Sequence, residues 1–166
     1  MMPTVVQEFT DVFRTEHRGV RDLLLDLVEA FRVRDTERVR ELVAAVDAAT
    51  GPHFRYEEEA MYPELVAVFG GAYVAKLLAD HDGAIRNVRR LYALAEHDRL
   101  TPRQAERGID LTRQILPHVS DCDGLSIMVE TLPADTVEAI MATRRTARAA
   151  GLDLLTWAAT ARDRDV

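Results

Sequence analysis

The sequence predicts an all-α protein: an up-down-up-down four-helix bundle with an additional C-terminal helix. Three observations predict it. Apolar residues recur every three or four positions through most of the chain, the spacing of one helix face. The period-two alternation of a half-buried strand is missing. The breaks between the apolar stripes are short, so successive helices run antiparallel. With 166 residues the chain has room for one domain with a real core. The bundle takes about residues 4–132 and a helical extension about 133–160.

The first stripe runs Val6, Phe9, Phe13, His17, Val20, Leu24, Leu27, Phe31, and "RDT" at 34–36 ends it, with Asp35 as the N-cap of the next helix. The second runs Val39, Leu42, Val46, Ala49, His53, Tyr56/Glu57, Ala60, Met61. Gly51-Pro52 inside it predicts a bend or a new turn, and Phe69-Gly70-Gly71 reads as the next break. The third stripe is Val74, Leu77/Leu78, His81, Ile85, Val88, Leu91/Tyr92, Ala95. Thr101-Pro102 then starts the fourth helix, Thr as N-cap and Pro at the first helical position. Its stripe is Leu111, Ile115, His118, Cys122, Leu125, Val129, Leu132, with a distortion predicted at Pro117. After Pro133 a shorter helix begins, Asp135 and Glu138 having capping-box spacing and Gly151 marking its stop. "LDLLTWAATARDRDV" predicts a short packed helix, with Trp157 as packing, and then a fraying end.

Composition excludes several classes. A net charge of −7 argues against nucleic acid, which wants a basic patch. No apolar run approaches the ~18 residues that span a membrane, and "MMPTVVQEFTDVF" lacks the basic-then-apolar pattern of a secretory signal. A single cysteine, Cys122, rules out an intrachain disulfide framework and fits a reducing cytoplasm.

The chemistry lies in the stripes. Four of the five histidines occupy core positions, one on each bundle helix. One such histidine is ordinarily a hydrogen-bonded core residue. Four together would each need a partner in an apolar core, and one metal centre satisfies all of them. Glu57 follows His53 by four residues, about 40° round the helix, so both side chains reach one point. Glu58 falls about 140° from His53 and faces outward, as does Glu59. Asp121 and Asp123 follow His118. A mixed imidazole and carboxylate set suits iron, manganese or zinc, and four helices projecting it inward form the arrangement of dinuclear carboxylate sites. His97, beside Asp98 at a helix end, reads as a surface residue. "DCDG" lacks the distal glutamate of a calcium loop, since the twelfth position from Asp121 is Leu132.

The chain resembles the hemerythrin-like proteins, also called HHE cation-binding domains. Their pattern is a lone His on the first helix, His-x-x-x-Glu on the second, His-x-x-x-His on the third and His-x-x-x-x-Asp on the fourth. Here the matching residues are His17 in "TEHRGVRDLL", His53 and Glu57 in "HFRYEEEAMYP", His81 in "ADHDGAIRNV", and His118 with Asp123 in "PHVSDCDGL". The resemblance spans roughly residues 5–130. It implies two iron ions, oxo- or hydroxo-bridged, with Glu57 and Asp123 bridging, His17 and His53 on one iron, and His81 and His118 on the other. It also implies a small-molecule ligand: O2, peroxide, NO or a small organic substrate.

This sequence departs from that pattern at one ligand. The partner of His81 falls on Leu77 or Ile85, both apolar, so the third helix offers one histidine. Tyr56, three residues after His53 on the same face, is the substitute the spacing suggests. On the fourth helix, regular geometry points Cys122 inward better than Asp123, whereas the family pattern favours Asp123; Asp121 is the other alternative. The incomplete histidine set shifts the expectation from reversible O2 carriage towards redox chemistry, as a diiron oxidase or oxygenase or in peroxide breakdown. The alternatives are a non-catalytic O2, NO or iron binding, storage or sensing module, and a metal-free bundle with satisfied histidines. Gly19 and Gly83, each two residues after a histidine, read as places where something packs closely outside.

Overall fold

The computed structural model describes residues 1–166. Helix α1 (Val5–Arg32) starts at a capping box in which Thr4 accepts from the Gln7 amide and the Gln7 side chain accepts from the Thr4 amide. Asp35 caps α2 (Thr36–Tyr56) as expected. One turn of π-helix (Glu57–Met61) carries α2 into α3 (Tyr62–Phe69). Gly70 ends α3 at φ 82°, a conformation that only glycine adopts freely. Then come α4 (Gly71–Ala95) and α5 (Pro102–Arg113), the latter opening on a Thr101–Gln104 capping box. The fourth bundle helix continues in two further pieces, α6 (Leu116–Asp123) and α7 (Leu125–Val129), broken around Pro117 and at Gly124. Helices α8 (Ala134–Ala150) and α9 (Leu154–Thr160) follow.

The architecture is the expected all-helical bundle, with α1 against α2 and α5–α7, and α4 against α2 and α5. Two apolar clusters fill it on either side of the histidine layer. Leu24, Leu27, Phe31, Leu42, Ile85 and Leu111 belong to one, and Phe9, Phe13, Met61, Leu65, Leu77 and Val129 to the other. Each large side chain buried this way contributes roughly 1.5–3 kcal/mol. The C-terminal helices are integral to both clusters. Val137, Ile140 and Met141 of α8 join the second, while Leu154 and Trp157 of α9 join the first.

Two local expectations change, and one widened turn is added. Helix α2 runs unbroken through Gly51-Pro52, and Gly51 has another use. A Cβ there would lie 2.3 Å from the Leu152 carbonyl oxygen and 2.7 Å from the Leu154 nitrogen, so the bare glycine lets the α8–α9 connection cross directly on α2. The widened turn sits in the second bundle helix, where the Tyr62 amide donates to the Glu57 carbonyl five residues back. Pro63 explains its place, because it has no N–H to close a regular turn onto Glu59 and its ring crowds that carbonyl. At α8 the Asp135–Glu138 capping box does not form. Pro133 occupies the cap, Asp135 accepts from the adjacent Thr136 amide, and Glu138 pairs with Arg145.

Candidate metal centre

Five side chains from four helices converge between the two apolar clusters: His17 of α1, His53 of α2, Glu57 at the start of the π turn, His81 of α4 and His118 of α6. None is more than 5% exposed. The carboxylate of Glu57 stands between two imidazole pairs. Its Oε1 faces His53 Nε2 at 3.1 Å and His17 Nε2 at 3.7 Å, and these two nitrogens lie 3.4 Å apart. Its Oε2 faces His81 Nε2 at 3.1 Å. Glu57, His81 and His118 each present a ligand atom within 4.8 Å of the others. The rings of His81 and His118 stand edge to face, with centroids 4.6 Å apart.

The outer ring nitrogens are held from behind. His17 Nδ1 donates to the Phe13 carbonyl at 2.8 Å, His53 Nδ1 to Glu16 Oε2 at 2.9 Å, and His81 Nδ1 to Glu58 Oε1 at 2.8 Å. His118 Nδ1 lies 3.5 Å from Asp80 Oδ2. An acceptor behind Nδ1 places the proton there and leaves the Nε2 lone pair facing inward. This is the arrangement that orients imidazoles as metal ligands.

The charges of the centre suit bound cations. Glu57 Oε1 is fully buried with only His53 Nε2 and His17 Nε2 beside it, so a proton on one of them or a cation must offset the cost of its charge. Burial works against ionising Glu57, yet His53 and His81 overcome it and hold the carboxyl well below its ordinary range. Burial likewise opposes charging His53, but Glu57 and Glu16 raise it to about 10. His81 is raised too, against burial, by Glu57 and Glu58. Burial pushes His17 and His118 down to about 4, reinforced by the neighbouring His53 and His81. Each imidazole pair thus gathers one positive charge against one face of Glu57. A cation between the two nitrogens of a pair meets the same demand and satisfies both lone pairs.

The remaining candidates divide. Cys122 is fully buried, with its sulfur within 4.8 Å of His17 and Glu57 ligand atoms; burial pushes its thiol well above its usual range. Asp123 is exposed and lines a cleft of about 240 Å³ beside His17, together with Arg14, Arg18 and Arg21. Asp121 is exposed near Lys76, at 3.7 Å. Tyr56 is buried, but its hydroxyl meets the outer side of the centre, donating to Glu16 Oε2 at 2.8 Å and lying 3.3 Å from His53 Nδ1. Leu77 and Ile85 lie in the apolar clusters, on opposite sides of the centre. His97 is exposed, 3.1 Å from the Gln104 side-chain nitrogen and away from the centre.

Tyr62 is the inner residue that the sequence reading missed. Its hydroxyl donates to Glu57 Oε2 at 3.3 Å and lies 3.1 Å from His81 Nε2 and 3.4 Å from Cys122 Sγ. On a regular helix a residue five after Glu57 sits about 140° away; the π turn brings it back over Glu57. Pro63 was the available signal. Glu58 does not face solvent. It points away from His53, but His81 and the C-terminal Arg162 cover it, and its side chain is 8% exposed. Gly19 and Gly83 support no close packing. A Cβ on Gly19 meets nothing within 4 Å, and one on Gly83 meets only the end of Arg86 at 3.9 Å.

Sequence comparison agrees with this geometry. No curated protein and no solved structure matches the chain. The model of the hemerythrin HHE cation binding domain matches residues 8–124, a span that contains every convergent residue described above. With well over half its length matched and the histidines and Glu57 gathered at one point, the chain belongs to the hemerythrin HHE cation-binding domain family.

Proposed function

We propose that this protein is a non-haem diiron protein that binds or reacts with O2, peroxide or NO in the bundle core, and that its chemistry is redox turnover rather than reversible carriage. The observation that carries the proposal is the buried Glu57 carboxylate, with one oxygen turned to each imidazole pair. In this reading His17 and His53 would hold one iron, His81 and His118 would hold the other, and Glu57 would serve both. Asp123 is the second carboxylate by the family pattern. Cys122, already inside, is its competitor.

Bound iron supplies electron exchange with a small oxidant, which no side chain here provides. The protein's own groups do the rest. Glu16, Glu58 and Asp80 aim the imidazoles, Glu57 sets the charge between the pairs, and the apolar clusters exclude water. Tyr62 stands on the His81 side, where the third helix lacks a histidine. Its hydroxyl, within reach of Glu57 Oε2, holds a proton on the side of the core where that imidazole is replaced by an apolar residue. That substitution favours turnover over carriage.

Iron analysis with absorption spectra, before and after O2 or peroxide, tests the proposal. About two irons per chain and sustained consumption of peroxide or O2 are expected. Saturable binding without consumption makes the protein a carrier or sensor. Manganese or zinc in the protein as isolated, or protein unchanged in metal content and stability by chelator, contradicts the diiron reading. Asp123→Asn should lower iron content more than Cys122→Ser; the reverse order assigns the inner position to the thiol.

A further inference from the structure

The family match ends at residue 124, yet the centre's outer contacts continue into the C-terminal segment. Glu16 divides its oxygens. Oε2 holds His53 Nδ1, while Oε1 accepts from Arg144 of α8, at 2.8 Å from Nε, with Nη2 at 2.6 Å. Arg148 adds a longer contact of 3.3 Å. On the other side Arg162 donates to Glu58 through Nε at 3.0 Å and Nη2 at 2.7 Å, and Glu58 Oε1 holds His81 Nδ1.

Arg162 is no stray surface residue. Its side chain is 1% exposed, its guanidinium stacks on Trp157 at 5.5 Å from the ring centroid, and Asp82 pairs with it at 2.7 Å. Its amide donates to the Trp157 carbonyl. The segment is seated on α2 by two residues one turn apart. Asp47 accepts from the Leu155 amide at 3.0 Å, and Gly51 admits the α8–α9 connection. Arg144 and Arg162 reach one histidine pair each, by the same relay of arginine, carboxylate and outer imidazole nitrogen.

We propose that the C-terminal segment 134–166 is part of the metal centre: Arg144 and Arg162 are positioning residues that clamp Glu16 behind His53 and Glu58 behind His81, one arginine for each half. The assignment of the two halves to two metals rests on the diiron reading above; the orientation of the two rings does not. A fork-shaped guanidinium fixes a carboxylate in plane, and the carboxylate then fixes the ring. Without its arginine Glu58 is free to turn to water and release Nδ1, and Glu16 keeps only the longer Arg148 contact and the Tyr56 hydroxyl to hold it.

The test uses the full chain, with Arg144→Met, Arg162→Met, the charge-keeping Arg162→Lys, and Arg38→Ala as an exposed control. Imidazole 15N–1H spectra of the metal-free proteins come first. Wild type should show slowly exchanging Nδ1–H signals for both His53 and His81. Arg162→Met should lose that of His81 alone and Arg144→Met that of His53 alone, with Arg162→Lys intermediate and the control unchanged. Titration with cobalt(II) follows. Each Met variant should weaken one of two binding steps by about 10–100-fold, the usual effect of losing an outer partner, with a changed visible spectrum for that step.

If Arg162→Met does not fold, Glu58→Gln takes its place and should weaken the same step. Selective loss of the ring signals in a chain that takes up no metal supports the clamp while sinking the diiron reading. Folded variants that keep both ring signals, or that bind both metals with wild-type affinity and spectrum, overturn the clamp.

Discussion

The two halves of the centre follow one plan with different parts. In the His17/His53 half, one outer nitrogen is held by the Phe13 carbonyl and the other by Glu16, and the Cys122 sulfur lies between the halves, within 4.8 Å of a His17 ligand atom and 3.4 Å from His118 Nε2. A cleft lined by three arginines reaches His17 from outside. In the His81/His118 half the inner neighbour is the Tyr62 hydroxyl, and the outer partners are Glu58 and Asp80. The His81 ring lies flat on Phe54 at 3.7 Å, and no part of the residue is exposed. A cleft of about 280 Å³ lined by Lys76, Arg86 and Arg90 likewise reaches His118, so both halves have a basic outer cleft and only one has a phenol inside. The difference teaches that one bundle can keep a symmetric ligand frame, with a basic cleft outside each half, while setting a proton-holding phenol beside one half only. Glu57 is the carboxylate common to both.

The largest effect should come from that shared residue. Glu57→Gln removes the charge facing both pairs and should reduce iron content from about two per chain to nearly none, measured on purified protein. Substitutions in one half should separate the halves. His53→Ala and His81→Ala are each expected to lose about one iron, and equal loss of both from either variant would show that the halves do not load independently.

A smaller effect concerns the seat of the C-terminal segment. Gly51→Ala drives a methyl into backbone atoms of Leu152–Leu154, which should cost roughly 1–3 kcal/mol, read as a lower unfolding midpoint of the metal-free protein. The tyrosines sharpen the comparison further. Tyr62→Phe removes a buried hydrogen bond to Glu57 and should cost about 0.5–1.5 kcal/mol while altering the iron spectrum. Tyr56→Phe, which touches only Glu16 and the outer face of His53, should leave the spectrum nearly unchanged. The smallest effect is at Gly19, where added bulk meets open space. Gly19→Ala should stabilise α1 by up to about 1 kcal/mol through helix propensity alone.

These effects also mark what the sequence made legible. The bundle was readable because its stripes keep a period near 3.6 and its caps are local; Thr101-Pro102 and Asp35 act within four residues of themselves. The convergence of the four histidines with Glu57 was readable for the same reason, since α2 stays regular from His53 to Tyr56. Beyond Tyr56 the period changes, so angles counted on a regular wheel drift over the π turn, and Tyr62 rather than Tyr56 turns towards the centre. Glu58 was misread for a different reason. Its cover comes from Arg162, 104 residues away in sequence, and no periodicity reports a contact of that range. Gly51 belongs to the same class. It was read as a local breaker, when its role is to receive a distant backbone.

The most direct measurement is anomalous scattering at the iron edge from crystals of the iron-loaded protein. Two peaks are predicted, one between His17 and His53 and one between His81 and His118, with the Glu57 carboxylate reaching both. A single peak, or two peaks that Glu57 does not join, would contradict the diiron centre proposed here.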